Sequence, residues 1–281
     1  MYSQHMIDYH MHGEFCGHST GPLEEYVLRA IELGLAEIGF SDHLPKVVDP
    51  DPYHAMLVER LPEYVAEVDR LRQKYSDRIT ILLGIEADYF VGYEDDTASL
   101  IASQPFDYVI GALHFLGDWH FSSKSHRSRY SVEDPEEVFP RYFSLLSKMI
   151  GTGMFDIIAH PDVIKKVDFA PKSSMEWYYR DIASMLKKHD MAIEVNTAGL
   201  RRGAGTIYPE ESFLRACAER DVPVTLGSDA HCPGDVAKDF DVALDMVRRA
   251  GVSTAAKFRG RKMSRFPVAG LFAFDGRTAV V

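Results

Sequence analysis

The chain has 281 residues, 46% hydrophobic and 26% charged, which fits one large α/β domain, or two ordinary ones, with a core that needs no disulfide staple. A net charge of -11 with no basic stripe argues against a nucleic-acid partner. The opening MYSQHMIDYHMH is no secretory signal, and no run reaches the roughly 18 apolar residues that cross a bilayer, so a cytoplasmic protein without membrane attachment is expected.

Short apolar runs alternate with longer periodic ones. In chain order the spacing predicts a strand over 6–8, a helix over 23–33, a strand over 36–40 and a helix over 57–75. In that second helix Leu57, Leu61, Tyr64, Val65, Val68 and Leu71 recur at threes and fours and form one apolar face. Strands follow over 79–85 and 108–113, a helix over 136–149 opened by Pro135, and a strand over 155–159. A helix over 174–189, a strand over 191–195, a helix over 211–220, a strand over 222–226 and a helix over 236–250 complete the series. Gly34 and Gly151 are placed to cap the helices before them. Strands such as ITILLGI are apolar throughout, the pattern of parallel strands covered on both faces, so a barrel or an open wound sheet is expected. The polar stretch 115–134 is expected to pass over the mouth as a lid or a loop. FRGRK at 258–262 is expected to be a solvated basic patch. No break or repeat divides the chain, and residues 1–281 are taken as a single domain.

The chemistry lies at the ends of those strands. His10 and His12 are two apart on an extended segment and point the same way. His18 lies in the loop that follows. His43 follows the second strand, Glu86 the third, His114 the fourth, His160 the fifth, and Asp229 and His231 the seventh. Nine potential ligands therefore fall at the carboxyl ends of strands, the face where barrel enzymes and wound sheets build their sites. Imidazole with carboxylate suits zinc, iron or manganese, and nine ligands suit two or three ions with a carboxylate bridging. Two metals about 3.5–4 Å apart can hold a hydroxide and clamp a phosphoryl oxygen. Phosphate-loop, dinucleotide and GxSxG motifs are absent. Cys16, Cys217 and Cys232 form neither a disulfide framework nor a zinc knuckle and are expected to be small fillers, although Cys16 and Cys232 lie close to candidate ligands.

These motifs resemble the PHP (polymerase and histidinol phosphatase) superfamily. The carriers are DYHMH at 8–12, SDH at 41–43, GIE at 84–86, the histidine of ALH, AHP at 159–161 and SDAH at 228–231, in the family's order along nearly the whole chain. The resemblance implies a distorted seven-stranded (β/α) barrel with a trinuclear metal centre. It further implies a first metal site from His10, His12, Glu86 and Asp229, a second from Glu86, His114 and His160, and a third from His18, His43 and His231. EADYFVGYE, LHFLGDWHF, AHPDVIKK and EVNTAGLRR resemble the monofunctional histidinol-phosphatases, which implies hydrolysis of L-histidinol phosphate. The chain departs from such proteins at His120, after Trp119, where glycine or aspartate is common.

Asp42 or His231 is expected to shuttle a proton, with Glu86 as the bridging carboxylate. Lys165, Arg201 and Arg129 are candidate phosphate donors, Arg being suited to bidentate contact. Trp119, Phe121 and Tyr89 are candidate walls for the substrate's imidazole end. The expected partner is a small phosphate monoester. Another small phosphomonoester or a nucleotide is an alternative substrate, and a non-catalytic metal-bound interaction domain is the more distant alternative. The oligomeric state is left open.

Overall fold

The computed structural model describes residues 5–165 and 169–272. It therefore leaves Lys166 of AHPDVIKK, and both ends of the 1–281 span, outside the described residues. In chain order the elements are β1 (Ile7–Asp8), α1 (Leu23–Leu33), β2 (Glu37–Phe40), α2 (Leu61–Lys74), β3 (Thr80–Asp88), α3 (Glu94–Ala102) and β4 (Tyr108–Ala112). Then come a two-stranded hairpin of β5 (Phe115–Leu116) and β6 (Trp119–His120), α4 (Pro135–Gly151), β7 (Ile157–Ile158), α5 (Glu176–Lys188), β8 (Ala192–Asn196), α6 (Ala198–Arg201) and α7 (Glu211–Ala218). The series ends with β9 (Val224–Gly227), α8 (Phe240–Arg249), β10 (Thr254–Arg259) and β11 (Lys262–Pro267).

The result is an α/β fold around a mostly parallel sheet of nine strands in the order β1-β2-β3-β4-β7-β8-β9-β10-β11, with β11 alone antiparallel to its neighbour. The segment after β1 also runs alongside β9: Tyr9 N donates to Leu226 O at 3.0 Å, His12 N donates to Ala230 O at 2.9 Å, and Met11 bridges Ala230 in parallel.

Local chemistry accounts for the main boundaries. Gly34 ends α1 in the left-handed conformation at φ 77°, as its position predicts. Asp134 accepts from Glu136 N at 2.9 Å and caps α4, with Pro135 as the first helical residue. Gly151 proves to be the last residue of α4, and Gly153 takes the left-handed turn at φ 67°. The polar excursion is not a featureless loop. It holds the β5–β6 hairpin and a 3-10 segment, Lys124–Ser131.

One plug fills the end of the sheet opposite the histidines. The Tyr108 ring opens β4 and lies against Gly39 and Gly84, where a Cβ would fall within 2.1–2.2 Å of its atoms. Its hydroxyl donates to Tyr9 O at 2.6 Å, and the two rings stack at 5.1 Å. Glu37, the first residue of β2, takes the Tyr9 hydroxyl and accepts from Arg259 at 2.7 Å. The FRGRK stretch is thus the turn of the β10–β11 hairpin; Arg259 and Lys262 are exposed, as expected of a solvated patch, and the Arg259 guanidinium also pairs with Glu37. Among the described residues no helix is long and apolar enough to cross a membrane.

Candidate metal centre

Glu86 organises the centre. β3 runs three residues further than its apolar run suggests, so Glu86 lies inside the strand and is 1% exposed. Its two oxygens face different histidines. Oε2 is 3.4 Å from His10 Nε2, 3.4 Å from His12 Nε2 and 3.0 Å from His43 Nδ1. Oε1 is 3.1 Å from His160 Nε2 and 3.8 Å from His114 Nε2. Asp229 Oδ1 closes the other side, 3.5 Å from His12 Nε2 and 3.3 Å from His231 Nδ1. His231 Nε2 meets His18 Nε2 at 3.0 Å. All nine predicted ligands therefore converge.

Donor atoms close enough to share an ion occur as His10–His12–Glu86, His43–Glu86–His114, His12–His43–His231, His10–His160–Asp229 and His12–Cys16–Asp42. His12 stands in three of these triads and Glu86 in two. The donor set of the nine ligands fits divalent transition ions. It is nitrogen and carboxylate oxygen, mostly buried, and it places pairs of imidazole nitrogens 3.0 Å apart. Two facing nitrogens cannot both carry a proton at that separation, whereas lone pairs turned toward a cation can share it. Protein contacts alone do not satisfy the site: His12 Nδ1 and His160 Nδ1 are buried without a hydrogen-bond partner among the described residues.

The ligands are held from behind. Glu194 Oε1 takes His10 Nδ1 at 2.6 Å, while its Oε2 accepts the His160 amide at 2.9 Å. Asp88 takes His114 Nδ1 at 2.9 Å. Such carboxylates fix the tautomer and turn the other ring nitrogen to the metal. Asp8 accepts from Ser228 N at 2.9 Å, Ser228 Oγ at 2.6 Å and Ala237 N at 3.0 Å, which ties the HxH segment to the SDAH loop. His160 (φ 23°) and Asp229 (φ 51°) sit in the left-handed region, where a non-glycine residue costs about 1–3 kcal/mol. That cost falls on two ligand positions.

Charge and burial compete across the cluster. Burial opposes the charged form of His10, but Glu194, Glu86 and Asp229 outweigh it and raise that imidazole well above its usual range. Burial and the neighbouring His43 and His231 push His12 well below it. His114 is lifted to about 9: burial opposes this, and Asp88 and Glu86 prevail. Every imidazole must lose a proton at the nitrogen it gives to a metal, so acid competes with binding. Metal content should fall as pH drops from about 9 to about 5, with His10 and His114, which their carboxylate neighbours raise, taking up protons first. Elemental analysis after dialysis across that range checks this, and full retention at the acid end contradicts it.

Several expected substrate and proton contacts are placed elsewhere. Trp119 and Phe121 are buried, Trp119 against Tyr130 and Phe169 and Phe121 against Tyr142, because they alternate inward along the hairpin while His120 turns out. Tyr89 is buried and donates to Glu94 at 2.8 Å. Arg129 is paired with Glu133 at 2.6 Å and Asp118 at 2.9 Å. Arg201 donates to Ser228 O at 2.5 Å and pairs with Asp235 and Asp239, so it braces the SDAH loop. Lys165 stays near the centre, bonded to Asp162 at 2.5 Å and lying over the Tyr208 ring, which in turn faces His160. The Asp42 carboxylate is occupied by the Gly13 amide at 3.0 and 3.2 Å, and burial lifts it to about 7. His231 is turned to the other ligands.

The arginine at the centre is Arg202. Its guanidinium is 3.2 Å from His231 Nδ1 and 3.9 Å from Asp229 Oδ1, and the side chain is 47% exposed. Arg202 and Glu194 went unflagged: one is the immediate neighbour of Arg201, the other an acid inside an apolar strand. Asp88 carried a signal, two residues after Glu86 and thus on the same face of β3.

The PHP domain family matches residues 8–198, which is more than half of the chain. The "Probable histidinol-phosphatase" of Deinococcus radiodurans is 35% identical over 92% of this chain and 98% of its own length. The chain belongs to the PHP-domain histidinol-phosphatase family. The Histidinol-phosphatase of Bacillus subtilis is 29% identical over 85% of this chain and 98% of its own. A solved histidinol phosphate phosphatase of Lactococcus lactis, in complex with zinc, L-histidinol and phosphate, superposes with a TM-score of 0.75 at 22% identity, covering 92% of this chain and 98% of that one. The ways in which Glu194, Asp88 and Arg202 serve the nine ligands are read from this chain's own geometry.

Proposed function

We propose that this chain hydrolyses L-histidinol phosphate to L-histidinol and inorganic phosphate, a step of histidine biosynthesis carried out in the cytoplasm. The observation that carries the reading is the convergence of five histidines on the two oxygens of Glu86, in a chain whose relatives are histidinol-phosphatases. In this reading the ligands divide as the resemblance implies, His10, His12, Glu86 and Asp229; Glu86, His114 and His160; His18, His43 and His231, while the donor atoms of His43 also lie with those of Glu86 and His114, and those of His160 with those of His10 and Asp229. Two or three zinc, iron or manganese ions held there would supply an activated water and neutralise charge on the phosphoryl oxygens. In this reading β1, β2, β3, β4, β7, β8 and β9 form a distorted seven-stranded barrel, closed where the Tyr9 and His12 amides bond to Leu226 and Ala230.

The protein's own groups do the positioning. Glu194 and Asp88 hold protons at His10 Nδ1 and His114 Nδ1 and leave the opposite nitrogens as ligand atoms. Asp42 acts through the Gly13 amide, which fixes the loop after His12, rather than by moving a proton. Arg202 presents a half-exposed guanidinium at the edge of the centre, suited to a phosphate oxygen pair. Lys165, beyond His160, adds positive potential.

Arg202→Ala should lower kcat/KM by about 10- to 100-fold with metal content unchanged, whereas Arg201→Ala should mainly lower the melting temperature. Steady-state kinetics with elemental analysis separate the two, and a full-rate Arg202 variant removes this role. The substrate is tested by phosphate release from L-histidinol phosphate beside a panel of sugar, nucleoside and amino-alcohol monophosphates. A kcat/KM preference for L-histidinol phosphate supports the proposal, and a preference for any other member overturns it.

A further inference from the structure

We infer that His120, Phe115 and His54 form the wall that receives the planar ring of the substrate's alcohol, and that Asp51 orients His54 for that task. This rests on the reading of the centre as a histidinol-phosphatase and adds the residues that select the ring. The β5–β6 hairpin pairs Phe115 with His120 and Leu116 with Trp119. Cross-strand partners share a face of the hairpin, so the two pairs face opposite ways. Leu116 and Trp119 are 6% and 1% exposed and belong to the core. Phe115 and His120 are only partly buried and stack at 4.1 Å with an interplanar angle of 23°.

The wall continues toward the metals. His54 meets His120 edge-on at 4.8 Å between centroids, and it also lies against Tyr53 at 5.1 Å and the ligand His18 at 5.9 Å. His54 Nδ1 is bonded to Asp51 Oδ2 at 2.5 Å, and the other Asp51 oxygen accepts from Tyr53 N at 3.0 Å. The carboxylate therefore fixes both the ring plane and the tautomer, and turns Nε2 away from Asp51. Lys46 lies over Phe115 at 5.0 Å and adds positive charge to the same rim. The rim is thus a continuous strip of flat rings beginning beside His18 and His231. A phosphate at the centre and a ring three carbons away would span that strip. Faces and edges of flat rings suit another planar heteroaromatic ring. The aromatic residues first expected to do this, Trp119 and Phe121, instead support the hairpin from beneath.

The test compares two esters with wild-type enzyme, H120A, H54A and H120F. L-Histidinol phosphate carries the ring; 2-aminoethyl phosphate keeps the ester and the ammonium without it. Each alanine variant should raise KM for L-histidinol phosphate by about tenfold, with at most about a twofold effect on 2-aminoethyl phosphate, and H120F should recover most of the loss. Equal losses on both esters, or no loss on either, overturn the inference while the proposed function stands. Wild-type enzyme that splits 2-aminoethyl phosphate but not L-histidinol phosphate removes the proposed function and this inference together. Melting curves and metal content accompany each variant, and H54A, in a separate loop, reads the wall even if H120A fails to fold.

Discussion

Glu86→Gln is expected to cost the centre at least one metal ion and to lower kcat/KM by about 100-fold or more. The carboxylate stands between two groups of imidazoles, with Oε2 toward His10, His12 and His43 and Oε1 toward His160 and His114. Burial alone would raise its pKa, but His10, His43 and His114 outweigh burial and hold it well below the usual carboxylate range. It is therefore charged when the ions arrive. Glutamine keeps the volume and one oxygen. It loses the negative charge and puts an N–H donor where a second ligand oxygen stood. A buried carboxylate that serves two sites has no solvent-side substitute. Elemental analysis and steady-state kinetics on one preparation check this, and wild-type metal content in the variant would remove the bridging role.

Gly227→Ala is expected to damage the centre without replacing a ligand. Gly227 ends β9, and a Cβ there would lie 1.9 Å from Glu194 Oε1 and 2.7 Å from His10 Cβ. Something must shift, and both neighbours are buried. Overpacking of this kind costs about 1–3 kcal/mol. For a chain of this size that is roughly a 3–10 °C fall in melting temperature. If Glu194 is the group pushed aside, His10 loses the bond that fixes its tautomer, and metal affinity should fall about 10- to 100-fold. Calorimetry and a competitive metal titration read the two effects separately. A lower melting point with unchanged metal affinity would mean that Glu194 does not hold His10 in its working orientation.

The ligand set was legible because metal chemistry restricts residue type and because strand ends are marked by where apolar runs stop. His10, His43, His114, His160 and Asp229 each follow such a run. The groups behind them were not legible. Glu194 lies within the apolar run of β8, and only contact with His10 across the sheet distinguishes it from a misplaced charge. The choice between Arg201 and Arg202 depends on which way each side chain leaves the short helix α6, and adjacent residues leave in different directions. Trp119 and Phe121 were misplaced for a related reason. β6 holds only Trp119 and His120, with Phe121 just beyond it, too short a strand for alternation to announce which face is buried. Helix α3 begins with Glu94, Asp95 and Asp96, and its weak apolar face hid it among polar residues. The β10–β11 hairpin was hidden by its charges, since the pairing of Lys257 and the exposed Arg259 shows only when Glu37 is placed beside them.

The most direct test of a Glu86-centred metal site is a titration of metal-free protein. Chelator-treated enzyme is loaded with zinc, manganese or ferrous iron, and bound metal and phosphate release from L-histidinol phosphate are measured at each point. Release should be absent without metal and should rise to a plateau at two or three ions per chain, with Glu86→Gln failing to reach it. Undiminished release from the metal-free protein would contradict the account.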